Sequence, residues 1–169
     1  PFFGIIAISA TFVVTLGEID LSFPSIVGIT SLIFGMVMTS TDGNVFIAFI
    51  LATSLGMFAG LVNGLLVTKI GIPSIVATIG TLFFWRGLVN VISQGSGIAI
   101  VDVADGTWHH MIFVEKLFGK IPMQFIWFIV LTGLMQWVYR YHKFGNHIHF
   151  VGDNKASAQM MGINVDNVK

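Results

Sequence analysis

Very few side chains in this 169-residue chain could do chemistry, and most stand in or beside apolar stretches. Two carboxylates, Glu18 and Asp20, lie in the run GEIDLS. Asn63 and Arg86 each interrupt a long apolar run, and histidines come as His109–His110 and His147-x-His149. Paired carboxylates can serve as acid and base, and histidines can hold a metal, but neither set is completed. On a helix, adjacent His109 and His110 diverge by about 100°, and His147-x-His149 has no third ligand at a suitable spacing, so no metal is expected. With no cysteine, disulfides, thiol catalysis and thiolate metal sites are excluded. There is no G-x-x-x-x-G-K-[ST] phosphate loop, no H-E-x-x-H and no G-x-S-x-G. No catalytic residue and no cofactor is expected. If the protein moves something uphill, the energy comes from elsewhere.

Two readings fit GEIDLS: a polar element lining a pathway, or a turn in which Asp20 or Ser22 caps the next helix and Pro24 sits in its first turn. Asn63 needs a partner in lipid-like surroundings, through helix packing or along a permeation path. Arg86 in mid-span would cost about 2.5–3.5 kcal/mol. It can snorkel outward beside Trp85, or it can line a pathway.

The elements that position these groups are apolar helices. Hydrophobic residues make up 55% of the chain and charged residues 9%, against about 25% charged in soluble domains. Eight basic and eight acidic residues balance, so there is no field to attract nucleic acid. About five spans are expected, at 1–16, 24–39, 45–68, 73–93 and 122–139, the second short. Pro24, Pro73 and Pro122 each open a span, where a missing N–H costs nothing. The fold expected is all-α, a polytopic transmembrane bundle over 1–140 with an outer loop at about 94–121, followed by a separate segment, 141–169. Within that loop, Trp108, Ile112 and Leu117 or Phe118 predict a short amphipathic helix on the interface. Gly56, Gly60 and Gly64 fall on one helix face and let another helix approach. Basic residues orient the spans: Lys69, Arg140, Lys143, Lys155 and Lys169 fall on one side, Lys116 and Lys120 on the other. The tail after residue 140 is therefore expected in the cytoplasm. The chain starts inside an apolar run with no Met or leader, so an internal fragment is expected.

The segment FGNHIHFVGDNKASAQMMGINVDNVK is short, polar and patterned. Asp153 or Asn154 can cap a helix of about two turns, Gly162 can stop it, and Asp166 can cap another. A stiff, capped helix in a cytoplasmic loop is a handle for a second protein.

These blocks resemble the permease subunit of bacterial ribose- and xylose-type ABC sugar importers. GEIDLS corresponds to the family's G-x-I-D-L-S signature. Asn63-Gly64, Gly71-Ile72-Pro73, Ile79-Gly80-Thr81 and Arg86-Gly87 resemble its next block, and Gly152-Asp153-Asn154 through Gly162-Ile163-Asn164-Val165 resemble its ATPase-coupling loop. Three departures are visible: Ser22-Phe23-Pro24-Ser25 in place of Ser-Val-Gly, Asp153 where Gly is usual, and Lys155 where an acidic residue is common. The resemblance implies a permease of about ten helices, multi-pass in the bacterial inner membrane. It implies cytoplasmic ABC ATPase subunits, a periplasmic or lipid-anchored sugar-binding protein, and a second permease chain as partners. The coupling helix would be capped by Asn154, seated through Ala156 and Ala158, filled by Met160 and Met161, and turned out through Gly162 and Ile163. Asp20, Ser22, Asn63 and Arg86 would be the pathway or gate candidates. The alternative is a channel or secondary transporter for a small polar solute, which would carry more titratable groups deep in its spans.

Overall fold

Apolar helices joined by glycine and proline turns account for most of the chain. The computed structural model describes residues 1–169. In order, the elements are α1 (Phe2–Thr15), α2 (Phe23–Ser40), α3 (Val45–Thr68), α4 (Ser74–Ser93), α5 (Val101–Ala104), α6 (Trp108–Phe113), β1 (Lys116–Leu117), β2 (Ile121–Pro122), α7 (Met123–Tyr141), α8 (Lys143–Asp153), α9 (Lys155–Met160) and α10 (Val165–Val168). They gather into two compact units, one of Asp20–His110 and one of Pro1–Ile19 with Met111–Lys169.

In the unit Asp20–His110, helices α2, α3 and α4 are long and apolar enough to cross a membrane. Helix α2 has 18 residues, about 27 Å against a hydrocarbon core of about 30 Å. Pro24 lies in its first turn. Asn44 starts α3 by accepting a hydrogen bond from the Ile47 N–H at 3.2 Å. Extended Pro73 immediately precedes α4. These three helices meet over Ile29, Ala59 and Trp85, and α5 packs on α2 and α3 over Met38, Ala48 and Ala104. Outside those seams the surface is aromatic and aliphatic, with Phe49, Met57 and Phe83 all exposed. Water would not tolerate that surface, whereas lipid or neighbouring spans require it.

The other two expected spans behave differently. Helix α1 has 14 residues, about 21 Å, because the chain leaves the helix at Leu16 and Gly17. Helix α7 has 19 residues but carries Gln124, Gln136 and Arg140. The amphipathic helix expected to reach Phe118 stops at Phe113. Phe118 and Gly119 take left-handed backbone, and the chain turns so that Lys116 pairs with Pro122 and Leu117 with Ile121.

The second unit joins the tail to α1 and α7, so the boundary expected at residue 140 falls inside it. Phe12 meets Tyr139 edge to face at 5.4 Å, and the Tyr139 hydroxyl shares a 3.0 Å hydrogen bond with Thr15 Oγ1. Helix α8, which the sequence reading did not separate from the handle, buries Gly145, Ile148 and Val151 on one face. The core is Leu16, Ile148, Val151, Ala158, Val165 and Val168. Gly152 lies so close to the Thr15 carbonyl that a Cβ could not be placed there. In the full-length protein, Gly152→Ala is expected to cost about 1–3 kcal/mol through overpacking. Lower membrane abundance and a lower thermal midpoint of the purified protein would register it. A wild-type midpoint would mean that the contact relaxes freely.

Candidate functional site

In the three-helix unit, the polar groups singled out in sequence form one hydrogen-bonded chain. Asp20 Oδ1 accepts from the Ser22 N–H at 2.7 Å and from the Ser22 hydroxyl at 2.6 Å. The Asn63 amide NH₂ donates to Ser22 Oγ at 2.7 Å, and the Thr81 hydroxyl donates to Asn63 Oδ1 at 2.7 Å. Ser22, Asn63 and Thr81 are all buried. The chain ties the approach to α2 to the last third of α3 and the first half of α4. Ser22 does occupy the N-cap position of α2, but its side chain makes no cap bond. Asp20 binds Ser22 rather than the helix end. Asp20, Ser22 and Asn63 are thus brought together, while Arg86 stands exposed on α4, outside this chain. Thr81 was missed as a site residue, because threonine in an apolar helix commonly satisfies itself on the preceding turn. Its proximity to Asn63 is a tertiary fact.

The glycine face of α3 is only partly used within this chain. An added Cβ at Gly56 would touch the Thr30 methyl at 3.5 Å, but nothing lies within 4 Å at Gly60 or Gly64. The stripe packed inside the unit runs instead through Leu55, Ala59 and Asn63.

In the second unit, the handle is a chain of three short helices. Asn154 Oδ1 accepts from the Ser157 N–H at 3.0 Å and starts α9, while Asp153 ends α8. The end of α9 is a Schellman closure: the Gly162 N–H donates to the Gln159 carbonyl at 2.9 Å and the Ile163 N–H to the Ala158 carbonyl at 3.0 Å. Gly162 takes φ +81°, which costs glycine nothing. Asn164, not Asp166, caps α10 by accepting from the Asn167 N–H at 3.1 Å. The residues expected to face a partner divide. Ala156, Met160 and Met161 are exposed, Met160 by 87%, whereas Ala158 is fully buried and Ile163 packs against the same core.

Glu18 fixes this assembly. Its Oε1 accepts from the Lys155 ammonium at 3.3 Å and also from that of Lys169. Glu18 and Lys169 are mostly buried, while Lys155 is half exposed. Burial alone would lower the Lys169 pKa. The hydrogen bond to and attraction of Glu18, with Asp166 adding, raise it above the ordinary 10.5. A raised lysine pKa stabilises the fold fully below 10.5 and loses that contribution as pH climbs through the folded value. The clamp is therefore intact at neutral pH.

Nothing here is arranged for metal chemistry, since no three His, Asp or Glu side chains converge. His149 stands edge-on to Tyr139 at 4.4 Å, and His109 is bonded to Thr107 at 3.0 Å.

The family described as branched-chain amino acid transport system / permease component matches residues 1–169. The chain is 31% identical over 170 residues to the autoinducer 2 import system permease protein LsrC of Photorhabdus luminescens, covering 98% of this chain and 48% of that protein. It is 33% identical over 165 residues to the LsrC protein of Yersinia pseudotuberculosis serotype O:3, covering 98% and 45%. With the LsrC protein of Yersinia pestis strain Pestoides F the identity is 32%, over the same shares. The chain thus spans about half the length of the curated relatives it matches. No solved structure gives a significant match.

Two predictions follow from this geometry. Asn63→Leu in the full-length protein leaves Ser22 and Thr81 without their buried partner and is expected to cost about 1–3 kcal/mol, read as a lower thermal midpoint. An unchanged midpoint would mean the polar chain holds nothing. In double-mutant cycles on stability, Glu18 with Lys169 is expected to couple more strongly than Glu18 with Lys155, because half-exposed pairs contribute about 0–1 kcal/mol. The reverse ranking would contradict the burial described.

Proposed function

The chain belongs to the family of transport-system permease components, and from that membership we propose that it forms part of the membrane permease of an ATP-driven importer for a monosaccharide or a related small polar solute. The observation that carries this reading is α9. It is closed by Asn154 at one end and Gly162 at the other, anchored by buried Ala158, and presents Ala156, Met160 and Met161 outward. A short rigid helix with small and adaptable exposed side chains suits a groove on another protein. On this reading the groove belongs to a cytoplasmic ATPase subunit, which hydrolyses ATP while the permease is not itself catalytic. A binding protein delivers the solute from outside, and a second permease chain completes the pathway. Gly60 and Gly64, open within this chain, are where a further helix of the whole assembly comes close. The segment after residue 140 lies in the cytoplasm of a bacterium, with the spans in its inner membrane. That the relatives are autoinducer 2 import permeases supports a sugar-like solute. A channel or secondary transporter is favoured less, because Arg86 is the single ionisable side chain in α2, α3 and α4.

The chain has no cysteine, which suits labelling. A single cysteine at Gly106 is expected to react with an impermeant thiol reagent added outside intact cells, and one at Ser157 is not. The reversed pattern would overturn the orientation and the docking role with it. Ala156→Trp is expected to leave membrane abundance unchanged while uptake falls at least tenfold and the ATPase subunit co-purifies poorly. Ala158→Trp is expected to lower abundance itself, because that side chain lies in the core. Normal uptake in Ala156→Trp would remove α9 from the docking face.

A further inference from the structure

At the end of the three-helix unit where α2 stops and α3 begins, the turn 41–46 and residues 107–109 line an open recess of about 430 Å³. That size falls within the range of small-molecule sites, about 300–1,000 Å³. Its wall is aromatic. Trp108 and Phe46 stand 5.6 Å apart with planes tilted by 36°, and both are more than half exposed. His109, also lining the recess, is 7% exposed.

The hydrogen bonds around His109 set its tautomer. The Thr107 hydroxyl donates its only hydrogen to the Ala104 carbonyl. Its bond to His109 Nε2, at 3.0 Å, must then be accepted by Thr107, so the imidazole carries its hydrogen on Nε2. Nδ1 is left as a bare acceptor, sealed from water and without any partner. A buried acceptor left unsatisfied is costly, and it calls for an O–H or N–H donor. The other polar groups in the lining are consistent with that. Asp42 adds a carboxylate acceptor, held in left-handed backbone at φ +49°. Asn44 spends its Oδ1 on the Ile47 N–H, which leaves its NH₂ as a donor. No lysine or arginine lines the recess.

These two acceptors, the Thr41 hydroxyl oxygen beside them, one donor and an aromatic face match a group that both donates and accepts beside apolar C–H surface. An ammonium only donates, and an anion would meet Asp42 without a cation. We propose that this recess binds a small neutral polyol, with a hydroxyl donating to His109 Nδ1 once a shift of the recess wall uncovers that buried nitrogen, and other hydroxyls bonding Asp42 and Asn44. The proposal rests on the importer reading above, in which the 41–46 turn faces outside. It adds an outer-face reception site for the solute.

The test uses the full-length permease with its ATPase subunits in lipid nanodiscs, without binding protein, and saturation-transfer NMR with D-ribose and with autoinducer 2. Saturable transfer to at least one of the two probes is expected. His109→Phe keeps the ring and removes Nδ1, and is expected to weaken binding about tenfold. Exposed Asp42→Asn, which disturbs no packing, is expected to weaken it several-fold. Both should keep wild-type abundance. Unchanged binding in both variants would overturn the site, and so would stronger transfer to ethanolamine than to either probe. If the variants bind the probes normally but lose ATPase stimulation by the loaded binding protein, the recess seats that protein and the proposal fails. Uptake by wild-type cells without any transfer signal would also reject the recess, while leaving the importer reading intact. Absence of uptake of any sugar by the complete wild-type system would reject the importer reading itself.

Discussion

Two carboxylates and a stretch of unwound backbone have to be closed off between apolar helices, and the structure is organised around that constraint. When α1 ends, residues 16–22 carry Glu18 and Asp20 into surroundings that offer little water. An unpaired charge there would cost several kcal/mol. Glu18 is answered in one unit by Lys155 and Lys169, which come from α9 and the end of α10. Asp20 is answered in the other by Ser22, whose hydroxyl in turn accepts from Asn63. Each carboxylate therefore fixes more than its own position. One sets the register of the short helices α9 and α10, and the other sets the register of α2, α3 and α4.

The same constraint explains a departure in the segment after α8. Lys155 stands where the resembling family commonly has an acidic residue, and an acid there would face Glu18. With Lys155 in place, the first residue of α9 is drawn to the end of α1. The Schellman turn and buried Ala158 fix the other end. A helix of six residues has little stability of its own. It becomes rigid because both ends are held, and rigidity is what a docking element needs in order to transmit force rather than fray.

Much of this was legible in the residues. Apolar runs and their leading prolines located the helices, and local chemistry located α9, since an Asn cap and a Gly stop act within a few residues. Helix α8 was not separable, because its buried face alternates glycine with Ile148 and Val151 among histidines and so lacks a continuous apolar stripe. Ala156 and Ala158 look equivalent in sequence. Two residues apart on a helix they point about 200° from each other, and only the core beneath shows which is outward. Asp20, Ser22 and Asn63 could be singled out as polar groups in apolar settings, but Asn63 could not be paired, because its partners Ser22 and Thr81 lie 41 and 18 residues away. The glycine face was readable as a pattern, yet nothing in this chain lies within 4 Å of a Cβ placed at Gly60 or Gly64.

The central claim is that α9 is the surface on which an ATPase subunit acts. It is tested most directly by site-specific photocross-linking from Met160 in the full-length permease, within inside-out membrane vesicles that contain its transport partners. Met160 is 87% exposed, so a photoreactive residue there leaves the core untouched. The account predicts a cross-link to the ATPase subunit whose yield changes when ATP is added. A cross-link only to lipid, or one to the ATPase that is indifferent to nucleotide, would contradict it.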